Sequence, residues 1–172
     1  MKSLWLINLE TSQLLSKMSG LTNQYVEELG KKILGKHFLG TFPCDIQPIV
    51  DKKKIFSLVF NLSKHDSKGS HFIAIFADEN NLLYFDPLGH KCENTDILQF
   101  MTKVRSKRKM RTKFQKIQDC NSIFCGFFCI AFLLSRHKNE SLSNFFKHFS
   151  KQKLIKNDVL VIKYILNKIN RN

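Results

Sequence analysis

Residues 118–134 read QDCNSIFCGFFCIAFLL, a polar, turn-forming segment that runs directly into an apolar one. The apolar part is long enough for a buried helix, with Asn121 or Ser122 as its predicted N-cap. Cys125 then lies in the first helical turn, where the positive end of the helix dipole favours a thiolate over a thiol. Gly126 lets a substrate or another backbone approach closely. The stretch therefore predicts a buried helix that carries a nucleophile, Cys125.

A second interpretation of the same stretch is structural. Free cysteines are often buried and inert, so Cys125 and Cys129 can equally be small core residues. The side-chain amide of Gln118, seven positions before Cys125, is of the kind that donates a hydrogen bond into an oxyanion hole. The choice between these interpretations depends on whether the chain also supplies a base and an acid that orients it.

The composition is that of a folded domain. The chain has 172 residues, 43% of them hydrophobic, and 16 phenylalanines, which argues against a disordered segment. We predict an N-terminal extension over 1–21 and a single domain over 22–172, which we expect to be a monomer. No apolar run approaches the roughly 20 residues of a membrane span, and no signal-peptide cleavage site is evident, so we expect no membrane association. Five irregularly spaced cysteines favour a reducing, intracellular compartment over secretion or a metal site.

The net charge of +14 predicts attraction to a polyanion. Residues 101–116 hold eight cations and no acid, a density that is costly through self-repulsion unless a partner neutralises it. A solvated surface is the plainer alternative. The predicted DNA contacts are Lys103, Arg105, Lys107, Arg108, Lys109, Arg111 and Lys113.

The first half of the chain shows one helix and three strands. Residues 22–34 form a helix pattern, with Thr22 or Asn23 as the cap and Gly35 as the stop. We predict a loop over 37–48. Three segments rich in β-branched and aromatic residues then predict an antiparallel meander over 54–62, 71–77 and 82–85.

The second half is mainly helical. A strand near 114–118 is expected to carry Gln118, and Asp158 is expected to cap the last helix. Helices are predicted at 96–104, 121–136, 141–150 and 158–170. The resulting fold class is α+β, with an antiparallel or mixed central sheet flanked by helices and the nucleophile at the N-terminus of a buried helix.

The hairpin supplies a base and an acid. His71 opens the second strand, and Asp86 closes the third, just before Pro87. In a hairpin of this length the start of one strand and the end of the next are neighbours, so these side chains should meet. An imidazole oriented by a carboxylate is what a cysteine nucleophile requires. The predicted catalytic set is therefore Cys125, His71, Asp86 and Gln118.

In order and chemistry, these residues and Cys125-Gly126 resemble the adenovirus proteinase (adenain) family and, more distantly, the SUMO-specific (Ulp-type) cysteine proteases. Residues 38–41 and 84–89 also look like adenain, and the resemblance extends over about 22–146. It implies a papain-like or adenain-like fold and a Cys125 thiolate, with His71 as base, Asp86 as orienting acid and Gln118 in the oxyanion hole.

The resemblance also implies a biological role. It predicts an endopeptidase that cleaves viral capsid or core precursors at Gly-containing sites during virion maturation, in the virion and host nucleus. The sequence itself implies no required cofactor and no metal, and the resemblance implies activation by DNA and by a peptide, as in the family. Such proteases occur in adenoviruses and in Polinton and adintovirus-type elements, and we expect this chain to come from one of the latter.

The sequence also departs from the family pattern. Asp86 stands where adenovirus enzymes have Glu and SUMO proteases have Asp, and Phe72 replaces the Trp that commonly follows the catalytic His. No clear match exists for the cysteine that is cross-linked to the activating peptide, so Cys92 and Cys120 are candidates only by default. Residues 18–21 (MSGL) look like a cleavage site, although chance occurrence of so short a motif is the simpler explanation.

Two alternative functions stay open at this point. The first is a Ulp-type protease that removes a ubiquitin-like modifier, which Asp86 favours. The second is a non-enzymatic, basic DNA-binding module whose cysteines are structural, which the charge favours. The second leaves the order of the four predicted catalytic residues unexplained.

Overall fold

A five-stranded mixed sheet, in the order β1-β2-β3-β4-β5, forms the centre of the molecule. The computed structural model describes residues 22–169 except 53 and 68, so the predicted extension and the MSGL motif lie outside the described residues. The central strands β2, β3 and β4 are antiparallel, as predicted, whereas β1 and β5 join the edges in parallel. The strands are β1 (Phe38–Pro43), β2 (Phe56–Asn61), β3 (Phe72–Ala77), β4 (Asn81–Phe85) and β5 (Lys109–Thr112).

Strand β3 is buried on both faces, which explains its unbroken apolar sequence. Alternate side chains of a strand point to opposite faces. Phe72, Ala74 and Phe76 join one core, and the residues between them join the other. The sheet is therefore the middle of three layers.

The helices cover both faces of the sheet. The first core contains residues of α1, α3, α4 and α5, and the second contains the buried face of α2. Phe85 stacks on Phe132 of α3 with ring centroids 4.4 Å apart, which ties β4 to that helix. The helices are α1 (Asn23–Leu34), α2 (Thr95–Arg105), α3 (Cys125–His137), α4 (Leu142–Lys147) and α5 (Asn157–Ile169), and short 3₁₀ turns span Gly35–His37 and Leu154–Lys156.

Helix α1 follows the prediction at both ends. The Thr22 side chain accepts a hydrogen bond from the Tyr25 N–H, and Gly35 ends the helix with φ +64°. Among the described residues, no helix is both long enough and apolar enough to cross a membrane.

Two predicted elements are wrong. Residues 37–48 were expected to form a loop, yet 38–43 pair with β2 as strand β1. The strand expected at 114–118 is absent, and β5 lies earlier, at 109–112. Strand β5 is exposed and cationic, a composition that protects a sheet edge and hides the strand from hydrophobic patterns.

Helix α3 begins at Cys125, later than the predicted 121. Neither Asn121 nor Ser122 is its N-cap; that position is Phe124, which makes no side-chain capping bond. The Ser122 hydroxyl instead donates to Asp158 at 2.8 Å. Asp158 likewise lies inside the first turn of α5 rather than at its cap position.

Candidate active site

The β3–β4 hairpin brings His71 and Asp86 together, as predicted. His71 lies just before β3 and Asp86 just after β4, and His71 Nε2 donates to Asp86 Oδ1 at 2.8 Å. Both side chains are largely shielded from water, with the Asp86 side chain 3% exposed. The carboxylate therefore holds the imidazole in one orientation and one tautomer.

Cys125 is the second neighbour that acts on the His71 imidazole. Cys125 is 7% exposed and is the first residue of α3, where unpaired backbone N–H groups favour negative charge. Burial disfavours the imidazolium, but the hydrogen bonds to Asp86 and Cys125 outweigh it and raise the pKa of His71 to about 9. The site therefore favours a protonated His71 beside Cys125.

The turn after β4 connects Asp86 to the segment that carries Gln118. The Leu88 N–H donates to Asp86 Oδ1 at 2.7 Å, so one carboxylate oxygen accepts from both the imidazole and the turn. The Pro87 carbonyl accepts from the N–H groups of Ile117 and Gln118 at 2.9 and 3.0 Å. One short turn thus fixes the positions of the acid and of the Gln118 backbone.

Gln118 is 1% exposed, and its side-chain Nε2 donates to the Ser122 carbonyl at 2.8 Å. This bond fixes the orientation of the Gln118 amide, because Gln118 Oε1 in the place of Nε2 would be repelled by the Ser122 carbonyl oxygen. An amide nitrogen carries two N–H groups, so one remains for another acceptor. Within the described part of the chain Gln118 Oε1 is buried without a partner, which marks the amide as incompletely satisfied.

The other cysteines lie in different environments. Cys44 and Cys129 are buried, and burial raises the pKa of the Cys129 thiol far above its usual value. Burial also raises the pKa of Cys92. Cys120 is exposed. Of the five, Cys125 is the one that contacts His71.

The surroundings of Arg108 weigh against one of the predicted DNA contacts. Arg108 is 4% exposed, and its guanidinium donates to the carbonyls of Asp78, Val104 and Lys54, the last at 2.9 Å. A guanidinium consumed by three backbone carbonyls is unavailable to phosphate. The remaining predicted contacts are exposed and form what we call the basic surface: Lys103, Arg105, Lys107, Lys109, Arg111 and Lys113.

Two features of the site escaped the sequence analysis. The Asn61 Oδ1 accepts the N–H groups of Ser63 and Ser70, and its Nδ2 donates to Asn23 at 2.7 Å. Asn61 thereby closes the loop that leads into His71. The first turn of α5 contacts the Gln118 segment from the other side, through Asn157 and Asp158. No local pattern links these partners.

Comparisons with known proteins show which family the chain resembles. A family model described as adenovirus endoprotease matches residues 38–161. The protease of bovine adenovirus 7 is 29% identical over 147 residues, which cover 76% of this chain and 71% of that protein. The protease of ovine adenovirus D serotype 7 is 28% identical over 153 residues, which cover 80% and 74%.

Solved structures share the fold. The ASFV pS273R protease superposes with a TM-score of 0.63 at 18% identity, and the match covers 85% of this chain and 66% of that one. The SUMO protease Ulp1 superposes with a TM-score of 0.51 at 15% identity, covering 89% and 80%. These likenesses confirm the predicted α+β fold of the adenain-like type. The chain spans about two thirds of the ASFV protease.

Proposed function

The chain belongs to the adenovirus endoprotease family of cysteine peptidases, and we propose that Cys125 is its nucleophile, His71 its base and Asp86 the acid that orients the base. The observation that carries this proposal is the position of His71, which is hydrogen-bonded to Asp86 and has Cys125 as its other interacting neighbour. Family membership excludes the non-enzymatic interpretation of the sequence.

In the proposed reaction, the Cys125 sulfur attacks the scissile carbonyl carbon, and the thiol proton resides on His71. As the carbon–nitrogen bond breaks, the His71 imidazolium gives that proton to the leaving amine. Water then attacks the thioester carbonyl carbon while neutral His71 takes up a proton from it. The carbon–sulfur bond breaks, and the carboxylic acid product leaves Cys125 and protonated His71 as they began. The Asp86 carboxylate stabilises the imidazolium in both steps.

The negative oxygen of each tetrahedral intermediate needs donors that are already in place. The Cys125 backbone N–H, at the start of α3, and the free N–H of the Gln118 amide are the proposed donors. Loss of one such donor typically lowers the rate by about 10²–10³-fold. Gln118→Ala is expected to fall in this range.

The test is alkylation of the protein by iodoacetamide near pH 6, followed residue by residue by mass spectrometry. An ordinary cysteine with a pKa of about 8.5 is almost entirely thiol at this pH and reacts slowly. We expect fast labelling of Cys125 that is lost in His71→Ala. Uniformly slow labelling of all five cysteines, with and without added DNA, would remove the assignment.

The proposed substrates are viral capsid or core precursor proteins cut at Gly-containing sites, in the virion and in the host nucleus. The named relatives of this chain are adenovirus proteases, which supports a viral substrate. Peptides with Gly at the scissile bond should be cleaved, and Cys125→Ala should not cleave them. Origin from a Polinton or adintovirus-type element, activation by a peptide, a monomeric state and self-cleavage near 18–21 remain predictions.

A deconjugating protease of a ubiquitin-like modifier is the second candidate. Asp86, the acid that SUMO proteases use, favours it, whereas the spacing from Gln118 to Cys125 favours the endopeptidase. A modifier–lysine conjugate and a Gly-containing capsid-type peptide distinguish the two. Cleavage of the conjugate but not of the peptide would replace the first proposal by the second.

We also propose that DNA binds the basic surface. Its exposed cations lie on the end of α2, on β5 and in the segments that flank β5. Counterion release predicts that log Kd changes with log salt by about 0.9 for each phosphate contact. Replacing Lys109, Arg111 and Lys113 by Gln should therefore reduce that slope by about 3.

The control removes the same charge elsewhere, through Gln at the exposed Lys151, Lys153 and Lys163. Fluorescence anisotropy with duplex DNA over a salt series measures both triple variants. DNA binding at the basic surface is supported if the slope of log Kd against log salt falls only in the variant with Gln at Lys109, Arg111 and Lys113. Equal losses in the two variants would mean that only the net charge matters.

A further inference from the structure

The segment 117–124 carries Gln118 into helix α3 without any regular secondary structure. Its shape therefore depends on individual hydrogen bonds to its neighbours. On one side those bonds come from the Pro87 carbonyl, which accepts from Ile117 N–H and Gln118 N–H. The other side contacts the first turn of helix α5.

Asn157, the first residue of α5, is fully buried. Its Nδ2 donates to the Ile117 carbonyl at 2.7 Å and to the Ser150 carbonyl at 2.8 Å. Its Oδ1 accepts the Ser150 N–H at 2.8 Å. The side chain therefore joins the residue before Gln118 to the turn that precedes α5.

Asp158 reaches the same segment through Ser122. The Ser122 hydroxyl donates to Asp158 Oδ1 at 2.8 Å and accepts the Phe124 N–H at 3.2 Å. The carbonyl of Ser122 in turn accepts from Gln118 Nε2 at 2.8 Å. A continuous chain of hydrogen bonds thus runs from Asp158 through Ser122 to the Gln118 amide.

We propose that Asn157 and Asp158 are positioning residues for the oxyanion hole: they hold 117–124 so that the Gln118 amide is fixed before the substrate arrives. This inference rests on the proposed function, in which Gln118 donates to the tetrahedral intermediate. Neither residue touches the reacting atoms. Both act through the backbone and through Ser122, because a donor stabilises a transition state most when it need not reorient.

Two reagents separate positioning of the oxyanion hole from activation of the thiol. Alkylation by iodoacetamide displaces iodide directly and forms no tetrahedral oxyanion, so it reports on the Cys125–His71 pair alone. Acylation by p-nitrophenyl acetate forms the sulfur–acetyl bond through a tetrahedral oxyanion and releases p-nitrophenolate, so it also reports on the oxyanion hole. The ratio of the two rates is the relevant quantity.

Asp158→Ala should lower Cys125 acylation about tenfold while alkylation stays within about twofold, since one charged hydrogen bond is lost. Asp158→Asn keeps an acceptor for the Ser122 hydroxyl and should restore most of the acylation rate. Val159→Ala, at the neighbouring exposed position of α5, is the matched control and should change neither rate.

A double-mutant cycle tests the route. If Asp158 acts through Ser122, then Ser122→Ala and the double variant with Asp158→Ala should have similar acylation rates. Purely additive losses would overturn the route, as would an unchanged acylation rate in Asp158→Ala or an equal fall in both reactions. Failure of the proposed function looks different: Cys125 would not be alkylated preferentially in the wild type, or Gln118→Ala would leave acylation unchanged.

Discussion

At each end of helix α3 a histidine lies beside a side chain that carries a thiol or a hydroxyl, and these two pairs differ in chemistry. Cys125, its first residue, contacts His71, whereas His137, its last residue, contacts Ser57 with Nε2 and Oγ 2.9 Å apart. The two ends are about 18 Å apart along the helix axis. Each pair joins an imidazole to a thiol or hydroxyl, yet only the first is backed by a carboxylate, that of Asp86.

The second pair has the wrong hydrogen-bond direction for a nucleophile and its base. The Ser57 hydroxyl donates to the His37 carbonyl at 3.1 Å, so it accepts from His137 Nε2–H. A base must accept the proton of its nucleophile, and His137 donates instead. Ser57 is also fully buried, so no substrate reaches it.

The protonation states follow from the neighbours. Burial and the adjacent His37 ring lower the pKa of His137 to about 4, whereas Asp86 and Cys125 overcome burial and raise the pKa of His71 to about 9. Burial alone therefore yields a neutral structural histidine. A buried histidine stays protonated when hydrogen-bond partners such as the Asp86 carboxylate compensate for the lost water.

The largest expected difference comes from replacing the thiol of one pair and the hydroxyl of the other by alanine. Cys125→Ala should lower cleavage of a Gly-containing peptide by about 10⁴-fold or more, because the covalent intermediate cannot form. Ser57→Ala should leave kcat within about twofold. Peptide products measured by mass spectrometry decide the matter. Residual turnover in Cys125→Ala near the wild-type rate would exclude this cysteine.

Asp86→Asn removes the feature that distinguishes the two histidines. The kcat should fall about 10²-fold, since the imidazolium loses its counter-charge. In the wild type, activity should decline as pH rises through about 9, where His71 loses the proton it must donate. In Asp86→Asn this alkaline limb should move to lower pH.

The matched control for that variant is Asp45→Asn. Asp45 also contacts a histidine, His65, at 2.7 Å, but the His65 side chain is exposed. Neither kcat nor the pH–rate profile should change. An alkaline limb that stays near pH 9 in Asp86→Asn would contradict the role given to this carboxylate.

Each of the two histidine pairs contacts a residue that has a glycine with positive φ nearby in the sequence. Gly89 (φ +78°) follows Asp86, and an added Cβ would lie 2.7 Å from the Lys116 backbone nitrogen. Gly35 (φ +64°) precedes His37 and has open space around it. Gly35→Ala should lower the free energy of unfolding by about 1 kcal/mol, the cost of the backbone conformation alone. Gly89→Ala should cost about 3 kcal/mol.

The two glycine variants should also differ in their catalytic activity. In Gly89→Ala the turn must move, and with it the Pro87 carbonyl that holds Gln118, so kcat should fall about tenfold. Gly35→Ala should keep its kcat. Urea unfolding and peptide cleavage measure the two effects, and equal losses in both variants would show that the contact with Lys116 is unimportant.

The two histidines should also differ in how they make stability depend on pH. Between pH 6.5 and 4 the unfolded chain protonates His137 while the folded protein does not, so stability falls as pH falls, by at most about 1.4 kcal/mol per pH unit. His71 acts in the opposite sense: its contribution is complete below pH 6.5 and is lost as pH rises through about 9. His137→Gln should therefore flatten only the acid side.

Urea unfolding at pH 4.5, 6.5 and 8.5 separates the two histidines. His71→Gln is the companion variant and should flatten only the alkaline side. The same slope in His137→Gln and in the wild type between pH 4.5 and 6.5 would mean that His137 is protonated in the folded protein.

The sequence by itself determined the central hairpin, helix α3 and the meeting of His71 with Asp86. These features follow from local rules: an unbroken apolar run predicts a strand buried on both faces, and a short turn makes strand ends neighbours. The place of Cys125 in a first helical turn follows in the same way from the change of polar to apolar residues after Asp119, although the helix starts later than the predicted 121.

Only the tertiary structure decided how Gln118 is held and which cations face solvent. Gln118 depends on Pro87, Asn157 and Asp158, which lie 30 to 40 residues away along the chain. Arg108 is indistinguishable in sequence from its exposed neighbours, yet the carbonyl of Lys54, 54 residues before it, helps to bury it. Hydrogen bonds between distant segments leave no periodic pattern in a sequence, because each depends on where two separate elements pack.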